Sequence, residues 1–180
     1  MADEHLWEQT LESGTVFQGR LLHVKSDRVR LPNGGESTRE YIIHPGAVVV
    51  IAVLDNGKLL FERQFRYPLR RVMLELPAGK IDAGEPELAC GRRELREETG
   101  YEAARWRHLG TLHPCIGYSD ERIEIYLAQE LSHVGHARDH EEFIETVELG
   151  LDEAVRAVRE GRITDGKTVA ALFWAQQALG

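Results

Sequence analysis

The sequence is poor in cysteine and lacks an apolar run long enough to cross a membrane. Cys90 and Cys115 are the only cysteines among its 180 residues, which excludes a disulfide framework and suits a reducing compartment. The longest apolar run, from Ala47 to Leu54, is far shorter than the roughly 20 residues that span a bilayer. The first residues, 1–4, are acidic where a signal peptide is basic. We therefore expect a cytoplasmic protein without a membrane segment.

Basic residues are also scarce relative to acidic ones. Lys and Arg number 22 against 30 Asp and Glu, and the formal net charge is −8. Nucleic acids and anionic membranes would repel such a protein as a whole, so we expect neither as a partner. An acidic protein that handles phosphates needs local basic residues or a bound cation. The charge balance therefore already favours a metal in any site for phosphates.

The first forty residues are predicted to form a β extension. Residues 15–31 carry scattered β-formers, residues 38–43 are a second extended piece, and the Pro-Asn-Gly-Gly sequence at 32–35 is a strong turn signal between them. Residues 1–43 are therefore predicted as a hairpin-like unit. Because this segment has too few apolar residues for a core of its own, it must bury one face elsewhere.

The remainder, residues 44–180, is predicted to form one α/β domain with helices on the faces of a mixed sheet. Two apolar runs, 47–54 and 58–65, flank an Asp-Asn-Gly turn, which predicts a hairpin. The first run is continuously apolar, which indicates a central strand covered on both faces. Other predicted elements are strands near 106–112 and 122–128, loops at 76–79 and 132–142, and helices at 85–100, 151–160 and 168–179.

The predicted helix at 85–100 carries the most informative side chains. At about 100° per residue, Glu94 and Glu98 lie on one helix face, and Glu97 lies at its flank, where Arg93 can pair with it. No basic residue stands three or four places from Glu94 or Glu98 within the helix. The two like charges repel each other, and a divalent cation reverses the sign of that interaction. The alternative interpretation is an ordinary solvated acidic face.

The segment from Gly79 to Tyr101 resembles the Nudix box, Gly-x5-Glu-x7-Arg-Glu-U-x-Glu-Glu-x-Gly-U, where U is a bulky aliphatic or aromatic residue. Every defined position is filled, and so many fixed positions make chance agreement negligible. The resemblance implies a Nudix-type α/β/α sandwich with a mixed sheet. It also implies hydrolysis of a nucleoside diphosphate linked to another group, with Mg²⁺ or Mn²⁺ as cofactor.

By that resemblance, the metal ligands would be the backbone carbonyl of Ala78 and the carboxylates of Glu94, Glu98 and Glu142. Glu97, Glu98 and Glu142 would be the catalytic carboxylates, because a metal-bound water needs a carboxylate to take its proton. The number of metal ions stays open. The general base also stays open, between Glu97, Glu141 and Glu142.

Other box residues would shape the site instead of reacting. Arg93 would hold Glu97, and Glu85 would brace the loop and helix or reach a metal through water. The residues to which the resemblance gives these structural roles are Gly79, Glu85, Arg93 and Gly100.

Beyond the box, the chain resembles the ADP-ribose pyrophosphatase branch of the family. The matching pieces are Gln-Phe-Arg-Tyr at 64–67, Glu-Leu-Pro-Ala-Gly at 75–79, Tyr-Ser-Asp-Glu at 118–121 and Gly-Arg-Ile-Thr-Asp-Gly-Lys-Thr at 161–168. This likeness implies that ADP-ribose is split to AMP and ribose 5-phosphate. It also implies a homodimer built through the β extension, and substrate contacts from Arg39, Arg66 and Lys80.

The chain departs from that branch in two loops. Cys-Ile-Gly at 115–117 follows Pro114, where relatives often have glycine directly after proline, so the identity of the sugar is open. His140 stands where a second acid is often found, which leaves the general base open. The alternative functions are hydrolysis of GDP-mannose or another nucleoside diphosphate derivative, and a non-catalytic nucleotide-binding regulator.

Overall fold

The structure, a computed structural model, describes residues 3–135 and 143–180. The chain divides into two compact units. The first takes the chain up to His44 together with Cys115–Glu121, and the second comprises Pro45–Pro114 and Arg122–Gly180. Within the described residues, no helix is long and apolar enough to cross a membrane.

The first unit contains a three-stranded antiparallel sheet in the order β1-β2-β3. Its strands are β1 (Gln9–Gln18), β2 (His23–Arg30) and β3 (Glu36–Ile43), after a 3-10 turn at Glu4–Leu6. The extension thus has one strand more than the predicted hairpin. The chain also reverses at residues 19–22, where the Gly19 amide donates to the Leu22 carbonyl at 2.8 Å. That turn escaped prediction because it contains two leucines and only one turn-forming residue.

In the part of the second unit that the structure describes, there are two sheets and three helices. The sheets have the strand orders β7-β4-β9-β8 and β10-β5-β6. The strands are β4 (Ala47–Ala52), β5 (Leu59–Arg66), β6 (Arg71–Glu75), β7 (Ala78–Lys80), β8 (Tyr101–Leu112), β9 (Ile123–His133) and β10 (Ile144–Leu149). The helices are α1 (Glu87–Glu94, continued by a π-helical turn at Leu95–Thr99), α2 (Leu151–Arg159) and α3 (Gly166–Leu179), and a 3-10 turn lies at Tyr67–Leu69.

Strand β4 is the central strand of the core, as its continuous apolar run predicts. All six of its residues are buried. Val48 and Val50 pack with Cys90 and Leu95 of the α1 segment. Val49 and Ile51 belong to the opposite cluster, which includes the buried alanines of α2 and α3. Because helices cover both faces of this sheet, and β4 is parallel to β9 but antiparallel to β7, the predicted mixed-sheet α/β/α sandwich is confirmed.

The predicted hairpin over residues 47–65 is wrong, although its turn forms. The Leu54 amide donates to the Lys58 carbonyl at 2.9 Å, and one bridge joins Val53 to Leu59. Beyond that bridge the two strands enter different sheets. The reason is that β4 already pairs with β7 on one edge and with β9 on the other, so neither edge is left for β5.

Several boundaries also differ from prediction. Residues 78 and 79 of the predicted 76–79 loop, together with Lys80, form β7 instead, because their backbone pairs with β4. Strands β8 and β9 begin or end several residues beyond the predicted ranges, and β9 extends to His133 into the predicted 132–142 loop. Residues 136–142 of that loop lie outside the described residues.

Candidate active site

The two acidic side chains that the box spacing places on one helix face are both buried. Helix α1 begins after Pro86 and widens at Leu95 into a π-helical turn, which ends at Gly100 with φ of 77°. Glu94 is 9% exposed and Glu98 is 3% exposed. The interpretation as a solvated acidic face is therefore wrong. Buried carboxylates of this kind need compensating partners.

Strand β7 brings its backbone against both of these carboxylates. The Ala78 amide donates to Glu98 Oε2 at 3.0 Å. A Cβ added to Gly79 would lie 1.8 Å from Glu94 Oε1, so only glycine leaves room for this carboxylate. Pairing with β4 fixes the position of β7. The structure thus brings together the backbone at 78–79 and two of the predicted metal-binding side chains, Glu94 and Glu98.

Arg93 is the cation of the site. Its Nε and Nη2 donate to the two oxygens of Glu85, each at 2.9 Å. Its Nη1 donates to Glu94 Oε1 at 2.7 Å and to Glu97 Oε2 at 3.1 Å, and Nη2 also reaches the Lys80 carbonyl at 3.1 Å. The predicted pairing of Arg93 with Glu97 is confirmed. The prediction that no basic residue neutralises the acidic pair is wrong for Glu94, because Arg93 reaches its immediate neighbour.

The pKa values in the site separate into lowered and raised ones. Arg93, helped by the Asp82 amide, lowers the pKa of Glu85 to about 2. Burial raises the pKa of Glu62 to about 8. Burial, and then the charges of Glu62 and Glu94, raises the pKa of Glu98 well above its usual range. At this end of the helix, acidic groups therefore outnumber the cations that could neutralise them.

A second charged cluster, which the sequence analysis missed, surrounds Glu75. Arg66 donates to its two oxygens from Nε at 2.7 Å and from Nη2 at 2.9 Å. Lys167 also pairs with Glu75, and it reaches Asp165 Oδ2 at 2.9 Å. Although burial alone would raise it, the pKa of Glu75 is lowered by Arg66 and Lys167. The alternation of side chains along β5 places Glu62 and Arg66 on one face of the strand. That alternation was the sequence signal from which this cluster could have been predicted.

The other predicted site residues are placed as follows. Arg39 lies in the first unit, where it pairs with Glu8. Lys80 is exposed and contributes its carbonyl to Arg93. Glu141 and Glu142, with His140, lie outside the described residues.

The donors at α1 and β7 fit a hard divalent cation. Two buried carboxylates, Glu94 and Glu98, meet beside a glycine whose missing side chain leaves space for one of them. Carboxylate and carbonyl oxygens are the ligands that such ions prefer. Within residues 3–135 and 143–180, no group of three His, Cys, Asp or Glu side chains is arranged to hold a metal ion by itself.

Comparison with known families agrees with this geometry. Residues 43–172 match the model of the NUDIX domain, and residues 8–42 match that of the nucleoside diphosphate sugar hydrolase N-terminal domain. The chain belongs to the Nudix family. Nudix hydrolases generally use divalent metal ions. The predicted family membership is confirmed.

Individual relatives match between 73% and 97% of this chain. It is 42% identical over 171 residues to the methanol dehydrogenase activator of Bacillus methanolicus, with 94% of this chain and 92% of that protein covered. It is 39% identical over 173 residues to the ADP-ribose pyrophosphatase of Bacillus subtilis (95% and 94% covered). It is 35% identical over 140 residues to the GDP-mannose pyrophosphatase of Yersinia enterocolitica (73% of each covered). A crystal structure of an ADP compounds hydrolase matches with a TM-score of 0.87 and 26% identity (97% and 95% covered), which confirms the predicted fold.

Replacing Glu85 with Gln should lower the free energy of unfolding at pH 7 by about 1 to 3 kcal/mol. The folded-state pKa of Glu85 is about 2, below the ordinary value of 4.5. Its pairing with Arg93 therefore stabilises the fold above about pH 4.5, and this contribution is lost as the pH falls toward 2. Urea denaturation in metal-free buffer should show that the difference from wild type shrinks to less than half by about pH 3.

Glu87→Gln is the matched control, because Glu87 pairs with Arg122 in an ion pair of which both side chains are more than 40% exposed. Such pairs contribute at most about 1 kcal/mol. Equal losses in the two variants, or a loss in Glu85→Gln that does not change with pH, would contradict the assignment.

Proposed function

We propose that this Nudix protein hydrolyses ADP-ribose to AMP and ribose 5-phosphate, and that the reaction depends on Mg²⁺. The observation that carries the proposal is the convergence of the buried Glu94 and Glu98 on the backbone at Ala78 and Gly79. The substrate is supported by the Bacillus subtilis relative named ADP-ribose pyrophosphatase and by the structural match to an ADP compounds hydrolase. The composition supports a cytoplasmic location.

The residues proposed to hold Mg²⁺, or Mn²⁺ in its place, are Glu94, Glu98, Glu142 and the backbone carbonyl of Ala78. When bound, the ion neutralises the diphosphate and makes an attacking water more acidic. Arg93 keeps Glu94 in place by a hydrogen bond from Nη1. The Ala78 amide does the same for Glu98. Glu98 is proposed to act both as a metal ligand and as a catalytic carboxylate.

The substrate diphosphate is proposed to contact Arg66, Arg39 and Lys80. Glu75 accepts hydrogen bonds from Nε and Nη2 of Arg66, which fixes the plane of the guanidinium, and the Arg66 side chain is still 38% exposed. Its Nη1 then remains for a phosphate oxygen, and charge-assisted hydrogen bonds of this kind are strong. Lys167 also pairs with Glu75 and, with Arg66, lowers the pKa of that carboxyl, which keeps it ionised.

Two other functions have specific support. The Yersinia enterocolitica relative is named a GDP-mannose pyrophosphatase, and the box acts on the diphosphate and not on the groups at its ends. The Bacillus methanolicus relative is named an enzyme activator, which favours a regulator. We rank hydrolysis first because this chain keeps all four box carboxylates, Glu85, Glu94, Glu97 and Glu98.

The substrate assignment predicts that ADP-ribose is turned over with a higher kcat/KM than GDP-mannose or diadenosine polyphosphates, with Mg²⁺ present. AMP and ribose 5-phosphate should be the only products from ADP-ribose, identified by chromatography. EDTA should abolish turnover, and added Mg²⁺ should restore it. If ADP-ribose were the poorest of the three by about tenfold or more (roughly 1.4 kcal/mol in transition-state binding), the substrate would be wrong while the chemistry stood.

Glu142 is proposed as the general base, with Glu97 and Glu141 as the other candidates. If Glu142 acts as the base and not as a ligand, Glu142→Gln should lower kcat by about 100-fold or more and leave the affinity for Mn²⁺ unchanged. A rate that excess Mg²⁺ partly restores would instead make Glu142 a ligand. Glu141→Gln is the matched control, and an unaltered rate in Glu142→Gln would move the base to Glu97 or Glu141.

A homodimer through residues 1–43 is proposed from the exposed apolar side chains of the first unit. Trp7 is 74% exposed, Val16 65%, Phe17 54% and Leu21 59%. Among the described residues of this sheet, only Asp27 and Val29 are buried. An apolar surface of this kind marks an interaction site.

Light scattering should give about twice the 20.4 kDa chain mass, and deletion of residues 1–43 should give monomer or aggregate. Phe17→Glu should weaken the dimer. Phe173→Glu, on a side chain that is 58% exposed in α3, is the matched control. A stable monomer of the intact chain at micromolar concentration would refute the dimer.

A further inference from the structure

Glu62 is a fully buried acid that the proposed reaction does not use. It lies on β5, is 0% exposed, and stands directly opposite Glu75 of β6 and Thr146 of β10. Among the described residues, no amide, hydroxyl or guanidinium group donates a hydrogen bond to either of its oxygens. A buried carboxylate without donors is destabilising. Its presence therefore needs a functional reason.

Glu62 differs from the neighbouring acids, because each of those accepts a hydrogen bond from a donor group. Glu75 has Arg66 and Lys167. Glu94 has Arg93, and Glu98 has the Ala78 amide.

The group that Glu62 does meet is the carboxyl of Glu98. When one of these two carboxyls carries a proton it hydrogen-bonds to the other, and the charge of Glu62 raises the pKa of Glu98. Two residues further along the same strand face, Gln64 also has a buried Oε1 with no donor among the described residues. Among the described residues, Glu62 and Gln64 therefore place three buried acceptor oxygens without donors on this face of β5. Such a surplus of acceptors is compensated by a cation and not by further acids.

Exposure separates Glu62 from the proposed ligands. Glu94 is 9% exposed, Glu98 is 3% exposed and Glu62 is 0% exposed. Glu62 is therefore the least exposed of the three.

We propose that Glu62 is a positioning residue of the metal centre, which holds the Glu98 carboxyl and adds the negative charge that a divalent cation neutralises. This inference rests on the proposed binding of metal by Glu94 and Glu98. Groups that hydrogen-bond a metal ligand orient it and raise its affinity for the ion, typically by 10- to 100-fold. A neutral amide at position 62 would keep the shape of the side chain and remove its charge.

The experiment measures Mn²⁺ binding to the full chain by electron paramagnetic resonance, for wild type and Glu62→Gln. We expect the variant to bind Mn²⁺ about 10- to 100-fold more weakly. The rise in melting temperature that Mn²⁺ produces should be smaller in the variant than in wild type. Glu98→Gln serves as the positive control and should lose most Mn²⁺ binding.

Glu148→Gln is the matched negative control. Glu148 is an acid on β10 that stands opposite Leu60 of β5, and it pairs at the surface with Lys58 at 3.7 Å. Its Mn²⁺ affinity should equal that of wild type. Glu62→Asp provides a second test if Glu62→Gln does not fold. Aspartate keeps the charge but is shorter, so it should bind Mn²⁺ more tightly than the Gln variant and less tightly than wild type.

Wild-type Mn²⁺ affinity in Glu62→Gln, with binding lost in Glu98→Gln, would overturn the inference. So would wild-type affinity in Glu62→Asp if the Gln variant does not fold. These outcomes are independent of the substrate. A wild-type chain that binds Mn²⁺ through Glu98 but leaves ADP-ribose intact would refute the proposed substrate and leave the role of Glu62 in place.

Discussion

The guanidinium of Arg93 connects the loop before the helix, the helix itself and strand β7. It donates to Glu85, Glu94 and Glu97 and to the carbonyl of Lys80. Three carboxylates at these distances would otherwise repel one another in a partly buried setting. A lysine could not replace it, because a single ammonium lacks the planar, forked set of donors that reaches several acceptors at once. The geometry of the metal-facing carboxylates depends on this one side chain.

The layers of the fold could be predicted because their signals are local. The apolar run of β4, the glycine that ends the box helix and the periodic segments of α2 and α3 each specify an element without reference to the rest of the chain. Strand pairing could not be predicted in the same way. The Asn-Gly turn at 56–57 is a real turn, but which sheet the next strand joins depends on edges that distant strands already occupy. The π-helical turn after Glu94 also has no simple sequence signal.

In the candidate site, too, the features with local sequence signals were predicted and those that depend on distant contacts were not. Box spacing alone placed Glu94 and Glu98 together, and the structure shows them buried on one backbone segment. The clusters around Glu62 and Glu75 were missed, because they depend on the register between β5 and β6 and on the arrival of a lysine from the last helix. The contact of Arg93 with Glu94 was also not predicted, because only residues three or four positions apart in the helix were compared.

The start of α3 has a consequence for how the site is assembled during synthesis. The Thr168 hydroxyl accepts from the Leu76 amide, and Lys167 pairs with Glu75, both across 92 residues of chain. Glu75, which orients Arg66, therefore lacks its Lys167 partner until α3 has left the ribosome and docked. Contacts so distant in sequence form late, because the entropy of closing the loop must be overcome first. A nascent chain that already contains the complete box is still not an assembled active site.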